Sequence, residues 1–162
     1  MTMDSPIGRL ILMASDDGLT RILFANQSLA DLDLDDEDVP VVDDDPVMLA
    51  AAQQLDEYFA RDRTTFDLPL HLEGTEFQRR AWLALANIPY GQTTSYATQA
   101  AAIGKPGAFR AVGSANGANP IPIVLPCHRV VGSDGSLTGF GGGVEIKQRL
   151  LDLEQGAQQL PF

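Results

Sequence analysis

The chain has 162 residues, of which 44% are hydrophobic and 20% charged, enough for one large globular domain or two small ones. It holds no apolar run near the roughly 20 residues of a membrane span and no N-terminal signal pattern, so we expect neither a membrane protein nor a secreted one. One cysteine and two histidines exclude an internal disulfide and a cysteine-based zinc site, so we expect no metal and a reducing, cytoplasmic location.

The net charge of −11 argues at first against a nucleic-acid partner, but the charge is unevenly distributed. Residues 1–74 hold 17 Asp and Glu against 4 Arg, whereas residues 75–162 hold 5 Asp and Glu against 7 Lys and Arg. The acidity is densest between Asp31 and Asp45, a run that is typical of a solvated loop. Adaptation to a salt-rich host is an alternative explanation that the sequence leaves open.

The first predicted elements are two strands, at about Gly8–Ala14 and Leu19–Ala25, joined by an Asp-Gly turn. After the acidic loop, Asp45 is placed to cap a helix that begins one residue later and carries an apolar face. The segment "TTFDLPL" is a further candidate for a short strand. Residues 1–74 are therefore predicted to form a small α/β domain.

A second domain, residues 75–162, is predicted to begin with a helix. Thr75 and Gln78 form the pattern of a capping box, in which each side chain binds a free backbone amide of the first turn. Pro89 stops this helix, and the last helix of the chain is predicted at Val144–Gln155, just before a glycine.

Between these helices, the segments Ser95–Ile103 and Ala108–Asn116 flank the break "GKPG" and match the helix-turn-helix pattern. Alone the pattern is weak evidence, because many helical corners bind no nucleic acid. A hairpin with strands Arg129–Val131 and Leu137–Phe140 around an Asp-Gly turn would follow as a wing. The second domain is therefore predicted to be mostly helical, with a winged helix-turn-helix plan.

The only cysteine, Cys127, lies in the proline-rich stretch "PIPIVLPCHRVV" and is followed directly by His128. A free thiol has a pKa of about 8.5, so it needs a base or a cation beside it to act as a nucleophile at neutral pH. His128 can reach the thiol only on a turn or through water, and Glu154 is a candidate to orient the imidazole. Asn119 can tie the cysteine loop to the preceding helix. An inert buried thiol is the alternative interpretation of a lone cysteine.

These segments together resemble one family. "LPCHRVVGSDGSLTGFGGG" resembles the active-site segment of the O6-alkylguanine-DNA alkyltransferases, which are direct-reversal DNA repair proteins, and the resemblance covers at least Phe77–Gly156. It includes "FQRRAWLALANIPYGQTTSYATQAAAIGKP", "RAVGSANGANPIPIVLPCHRVV" and "LLDLEQG". The resemblance implies a ribonuclease-H-like α/β N-terminal domain followed by a winged helix-turn-helix-like C-terminal domain.

The resemblance also implies a reaction without a cofactor and a role for each matching residue. Cys127 would irreversibly accept the alkyl group of O6-alkylguanine, His128 would take the thiol proton through a water, and Glu154 would orient His128. Asn119 would be the hinge of the cysteine loop, and Tyr96 would protonate the leaving purine. The partner would be double-stranded DNA carrying the lesion on a flipped-out base, met through the minor groove by a monomer. O4-alkylthymine is a second substrate that the sequence leaves open.

Two sets of binding residues follow from the same resemblance. Arg110 would fill the space of the extruded nucleotide, on a helix whose small residues suit close approach to DNA. The predicted DNA-binding residues are Ser95, Lys105, Arg110, Ala111 and Gly113. The predicted wall of the base pocket consists of Tyr96, Val130, Phe140, Gly141 and Gly142, in and beside the glycine-rich run Gly139–Gly143.

Three positions depart from the family's pattern. Phe109 precedes Arg110 where a small residue is more common, so its ring would either clash in a DNA groove or wedge into it. Ala118 replaces a glycine before the Asn-Pro hinge, and Phe140 stands where a tyrosine is common, which removes one polar contact at the pocket mouth.

Two other classes of protein compete with this interpretation. A cysteine hydrolase would need an oxyanion site and a deacylating water, and repeated turnover of activated esters would reveal it. A non-catalytic DNA-binding regulator would dimerise and carry a basic helix, whereas the helix here has essentially one cation, Arg110. Binding of such a regulator to undamaged DNA would survive Cys127→Ser.

Overall fold

The computed structural model describes residues 1–27, 30, 44–138 and 140–156. The chain divides into two compact units, Met1–Leu72 and Glu73–Phe162. Among the described residues, no helix combines the length and the apolar composition that a membrane crossing requires. Most of the acidic run, which was expected to be a solvated loop, lies outside the described residues.

The first unit is a three-stranded antiparallel sheet, in the order β1 (Thr2–Met3), β2 (Leu10–Ser15), β3 (Gly18–Leu23), with one helix, α1 (Pro46–Phe59). The two predicted strands are confirmed with shifted ends, and so is the helix, whose cap is the Asp45 carboxylate accepting from two backbone amides. One face of α1 packs on β2 and β3. The resulting core contains Leu10, Leu12, Leu19, Ile22, Met48, Ala51, Leu55 and Tyr58.

The strand predicted in "TTFDLPL" is wrong, because this segment makes only an isolated bridge between Leu70 and Leu19. Two backbone hydrogen bonds, Leu19 N–H to Pro69 O and His71 N–H to Leu19 O, hold it against β3. The close approach explains Gly18, whose φ is +146° and where a Cβ would lie 2.6 Å from the carbonyl oxygen of Pro69. The strand β1 was missed since two residues give no periodic pattern.

The second unit is mostly helical. In chain order it contains α2 (Glu76–Leu85), β4 (Thr94–Ser95), α3 (Tyr96–Ala102), α4 (Phe109–Gly117), a 3-10 turn (Cys127–Arg129), β5 (Val130–Val131) and α5 (Val144–Gln155). The predicted capping box is confirmed, with Gln78 N–H donating to Thr75 Oγ1 and Thr75 N–H donating to Gln78 Oε1. The helix-turn-helix pair is α3 and α4.

Small apolar side chains join α2, α3 and α4: Ala81, Ala100, Ile103, Val112 and Ala115 form one buried cluster. Polar contacts fix the register of α4 on this cluster. The indole N–H of Trp82 donates to Ala115 O at 2.8 Å, and the buried amides of Gln99 and Asn116 bind each other reciprocally at 2.9 and 2.7 Å. Because each amide satisfies the other, α4 is held in a defined position and neither of these two side chains is left unpaired in the core.

The predicted hairpin is wrong in its second strand. Val130–Val131 is a strand, but it pairs in parallel with Thr94–Ser95, and the described residues Leu137, Thr138 and Phe140 are not in a strand. A tight turn replaces the hairpin, with Gly132 N–H donating to Ser136 O. The carbonyl of Thr138 accepts from side chains instead of from a neighbouring strand. Gly139 lies outside the described residues.

Candidate active site

The cysteine lies on a single turn of 3-10 helix, Cys127–Arg129, at the end of the loop that follows α4. Pro126 precedes the turn, and Cys127 N–H donates to Leu125 O at 2.8 Å. Ile123 has a φ of +73°, an unusual value for a β-branched residue, and its side chain is only 1% exposed. A buried, constrained loop therefore holds Cys127, which is 5% exposed, on the same turn as His128.

Asn119 fastens this loop internally. Its Nδ2 donates to Leu125 O at 2.8 Å, and its Oδ1 accepts from Ile121 N–H at 3.0 Å. The Asn119 side chain also lowers the pKa of the Cys127 thiol, which favours the thiolate. The structure thus brings Asn119 and Cys127 together as predicted.

The imidazole of His128 is fully buried and contacts the carboxylate of Glu154, near the end of α5. His128 Nε2 lies 2.5 Å from Glu154 Oε2, and Arg129 donates to the same carboxylate from Nε at 2.7 Å and Nη2 at 3.1 Å. Arg129 Nη1 also donates to Ile88 O at 2.6 Å, and Gly91 N–H donates to Glu154 Oε1 at 3.3 Å. The carboxylate therefore accepts from several donors while excluded from water.

These contacts fix the protonation states. Burial opposes ionisation of Glu154, but its hydrogen bonds to His128 and Arg129, together with the positive charge of Arg129, outweigh burial and hold its pKa at about 2. An ionised carboxylate only accepts, so the ring proton of His128 sits on Nε2 and Nδ1 keeps its lone pair. Within the described residues Nδ1 is buried without a hydrogen-bond partner. Burial also lowers the pKa of His128, which leaves the imidazole neutral and able to accept a proton at Nδ1.

The thiol itself is protonated at rest. Burial raises the pKa of Cys127 to about 11, against the opposing effects of the Asn119 hydrogen bond and the positive charge of Lys147. A thiol in such a site is a weak nucleophile until a base removes its proton. His128 on the same turn is neutral and has a free lone pair at Nδ1, so it is able to accept a proton.

Lys147 is the residue of the site that the sequence interpretation missed. It is 1% exposed, and its Nζ donates to Thr138 O at 2.9 Å and to the Tyr96 hydroxyl at 3.5 Å. Its position was detectable, because Lys147 falls three and four residues before the buried pair Leu150 and Leu151 and therefore on the core face of α5. A lysine on a core face needs partners, and here they are the Thr138 carbonyl and the Tyr96 hydroxyl, while the charge of Lys147 also lowers the pKa of Cys127.

Tyr96 begins α3 and is half-buried. Its hydroxyl donates to Thr138 O at 2.9 Å, and Lys147 Nζ lies 5.8 Å from the centroid of its ring. Tyr96 also lines a pocket of about 390 Å³. The other residues around this pocket are Ser95, Ala97, Phe109, Gly132, Ser133 and Asp134.

The predicted base-pocket residues are spread over several environments. Val130 is fully buried in β5, Gly142 is buried, Phe140 is half-buried and Gly141 is exposed. Of the predicted set, Tyr96 alone lines the 390 Å³ pocket, and the remaining four do not.

The predicted DNA-binding residues lie mostly on an exposed surface. On α4, Arg110 and Ala111 are exposed and Gly113 is half-buried, while Lys105 in the preceding turn is exposed. Ser95 caps α3, its hydroxyl accepting from Thr98 N–H at 3.1 Å. The opposite face of α4 is buried through Val112, Ala115 and Asn116.

Two family models match the chain and together cover almost all of it. The model of the 6-O-methylguanine DNA methyltransferase, DNA binding domain, matches residues 76–156, and that of the same protein's ribonuclease-like domain matches residues 1–72. The chain belongs to the 6-O-methylguanine DNA methyltransferase family. The resemblance and the predicted fold class are thereby confirmed.

Individual members of this family match nearly the full length of the chain. A methylated-DNA--protein-cysteine methyltransferase of Mycolicibacterium paratuberculosis is 50% identical, over 95% of this chain and 90% of the relative. The constitutive enzyme of Bacillus subtilis is 45% identical, over 95% and 93%. The crystal structure of Mycobacterium tuberculosis OGT in complex with DNA matches with a TM-score of 0.85 and 47% identity, over 99% of this chain and 93% of that one.

Proposed function

We propose that this methyltransferase repairs DNA by direct reversal, transferring the alkyl group of O6-alkylguanine irreversibly to Cys127. Family membership supplies the reaction class, which is alkyl transfer from DNA to a cysteine of the protein. The single observation that carries the assignment to Cys127 is that the chain has one cysteine, and that this cysteine is buried on one turn with a neutral His128. An inert thiol would need neither the base nor the buried carboxylate behind it.

In the first step the Cys127 thiol gives its proton to His128 Nδ1, directly or through a water. Glu154 accepts from Nε2–H, so its charge orients the ring and stabilises the imidazolium that forms. Arg129 holds Glu154 ionised, and the Asn119 hydrogen bond and the charge of Lys147 stabilise the thiolate. The site therefore forms the thiolate only transiently. The imidazolium that forms with it is stabilised by the negative charge of Glu154.

In the second step the thiolate attacks the saturated carbon attached to O6. A carbon–sulfur bond forms, the carbon–O6 bond breaks, and the electron pair of the broken bond stays on the purine. The Tyr96 hydroxyl gives a proton to the departing base, so the base leaves as neutral guanine. Lys147 beside that hydroxyl stabilises the phenolate until the proton from His128 returns to it.

The product is a thioether, which neither an imidazole nor water cleaves under mild conditions. Each protein molecule therefore repairs one lesion, and the reaction is stoichiometric. Every proton and electron pair in the two steps is accounted for by Cys127, His128, Tyr96 and the substrate. The chemistry accordingly calls for no metal and no organic cofactor.

The reacting carbon is inaccessible within a stacked duplex, so the damaged nucleotide must be extruded. Exposed Arg110 on α4 is suited to fill the space that it leaves, and Ala111 and Gly113 permit close approach of the DNA backbone in the minor groove. We assign DNA binding to this face of α4 and to Ser95 and Lys105. A monomer suffices, since every proposed group comes from one chain.

We expect the affinity for DNA to be weak, because few cations lie near the site. We also expect it to decrease with salt, because these cations contact phosphates. Lys105→Met should weaken binding to lesion-bearing and undamaged duplex equally, and should reduce the slope of log K against log salt by about 0.9. Anisotropy titrations from about 50 to 200 mM salt measure this slope. Tight binding that does not respond to salt would contradict the assignment of this surface.

The decisive test is mass spectrometry of the protein after mixing with a duplex that carries O6-methylguanine. One added methylene is expected on the peptide bearing Cys127, at one equivalent per protein, and none in Cys127→Ala. Two results would overturn the proposal: a free Cys127 after full contact with the lesion, or turnover beyond one equivalent, which a hydrolase would give.

A further inference from the structure

Phe109 is an aromatic side chain that the proposed chemistry does not use. It opens α4 and is 46% exposed, although the opposite face of the same helix is packed in the core. Among the described residues, the exposed large hydrophobic side chains are Leu49, Leu83, Phe109 and Val144, and Phe109 is the aromatic one. An exposed phenyl ring lacks the stabilisation that burial would give, so its position indicates a surface that another molecule covers.

The ring is coupled to the residue proposed to enter DNA. The guanidinium carbon of Arg110 lies 5.9 Å from the centroid of the Phe109 ring, within the range of a cation–π contact. The two side chains therefore project from the first turn of α4 as a pair.

Phe109 also lines the pocket of about 390 Å³ that contains Tyr96. Asp134 lines the same pocket, and its carboxylate accepts from Ser136 N–H at 3.0 Å. Hydrogen bonds from Ser136 lower the pKa of Asp134, so this carboxylate is ionised at neutral pH. An anionic group disfavours a phosphate in the pocket, whereas the amino edge of a base can donate to it.

The remaining lining fits the same occupant. Ser133 contributes a hydroxyl group that can bind either a donor or an acceptor, whereas the Ser95 hydroxyl already caps α3, and Phe109 contributes a flat apolar face. A flat heterocycle with polar edges matches this combination, and apolar side chains that enter between base steps are a known means of kinking a duplex.

We propose that Phe109 stacks on a nucleobase next to the extruded nucleotide and draws that base toward the pocket beside Tyr96. The inference rests on the proposed function, since it requires that α4 enter lesion-bearing DNA. Phe109 is then a positioning residue: it touches the neighbouring base, while Arg110 occupies the vacated space. This assigns a DNA contact at the position where the chain departs from the small residue common in its family.

The test compares Phe109→Ala with the wild-type protein on two substrates. On duplex DNA with O6-methylguanine, the second-order rate constant for transfer should fall by about 10-fold, the scale of one lost base–aromatic stack. On free O6-alkylguanine base, which has no neighbouring base, the rate should be unchanged. Phe109→Trp should restore the duplex rate, and Leu83→Ala, which removes another exposed apolar side chain, should change neither.

A second measurement locates the contact. In the Cys127→Ser background, which binds without reacting, 2-aminopurine is placed 5′, 3′ or opposite to the lesion. Unstacking should raise its fluorescence at one of these positions with Phe109 and much less with Phe109→Ala.

Equal duplex rates for wild type and Phe109→Ala would overturn the inference and leave the proposed function standing. Failure of the wild-type protein on both substrates would instead sink the proposed function. If Phe109→Ala converts a dimer into a monomer by light scattering without altering transfer, the ring binds a second copy, and the inference is likewise overturned.

Discussion

Glu154→Gln should slow alkyl transfer by about 10³-fold or more, an effect on the scale of tautomer errors in catalytic triads. The amide of glutamine can donate to His128 Nε2, which moves the ring proton to Nδ1. In that tautomer Nδ1 cannot accept the Cys127 proton, although every distance in the site is preserved. Single-turnover kinetics on an O6-methylguanine duplex measure the loss, and a rate within threefold of wild type would contradict it.

The same change should also destabilise the second unit, by about 3–5 kcal/mol, because it leaves Arg129 charged and buried without its counterion. Denaturant unfolding gives this free energy. Glu145→Gln is the matched control, as it neutralises an exposed carboxylate on the same helix. The double variant Arg129→Met, Glu154→Gln separates the two effects: it should recover stability but not the rate of transfer.

The pH dependence of the free energy of unfolding should reflect the shifted pKa values of Glu154, His128 and Cys127. The folded-state pKa of Glu154, about 2, lies below its ordinary value of 4.5, so its contribution is complete above pH 4.5 and is lost as the pH falls toward 2. The lowered pKa of His128 makes stability decline already below about pH 6.5, and the raised pKa of Cys127 makes it decline between pH 9 and about 11. Stability should therefore peak between about pH 6.5 and 9, and Glu154→Gln should lack the part of the loss below pH 4.5 that Glu154 causes.

Lys147→Met should slow transfer by roughly 10- to 100-fold at neutral pH, the scale of removing one cation beside an ionising group. Methionine keeps the buried stem but removes the charge, so the pKa of Cys127 rises further and the phenolate of Tyr96 loses its support. The pH at which the rate increases should move upward, which a purely structural role of Lys147 would not cause.

Lys147→Arg is the informative companion variant, because it retains the charge and should recover most of the rate. Arg149→Met removes an exposed cation from the same helix and should leave the profile unchanged. An unshifted pH profile in Lys147→Met, with the fold intact by circular dichroism, would show that Lys147 acts only through packing.

Local sequence patterns predicted the helices well. The Asp45 cap, the Thr75 capping box and the terminal glycine of α5 are each decided by neighbours within four residues, and each has the predicted form. Strand pairing was less predictable. Val130–Val131 satisfies its hydrogen bonds with Thr94–Ser95, more than thirty residues away. No local pattern encodes that choice, whereas the Asp-Gly turn after Val131 favoured a hairpin.

The candidate site likewise has contacts that local sequence predicted and one that depends on three-dimensional packing. The contacts of Asn119 and His128 were predictable from sequence and resemblance, and the structure has both. The spacing of Lys147 to Leu150 and Leu151 indicated the core face, but its burial was not predicted, since a lysine in an amphipathic helix is usually solvated. The partners that permit its burial come from α3 and the loop before α5. Three-dimensional packing decides whether such a charge is buried.

The reciprocal amides of Gln99 and Asn116 restrict how this protein can evolve. Replacing one of them strands the other in a dry interior, whereas exchanging both for hydrocarbon side chains of similar volume removes the demand altogether. Two mutations that are each harmful alone are then tolerable together. In related sequences these two positions should therefore change together or stay unchanged together.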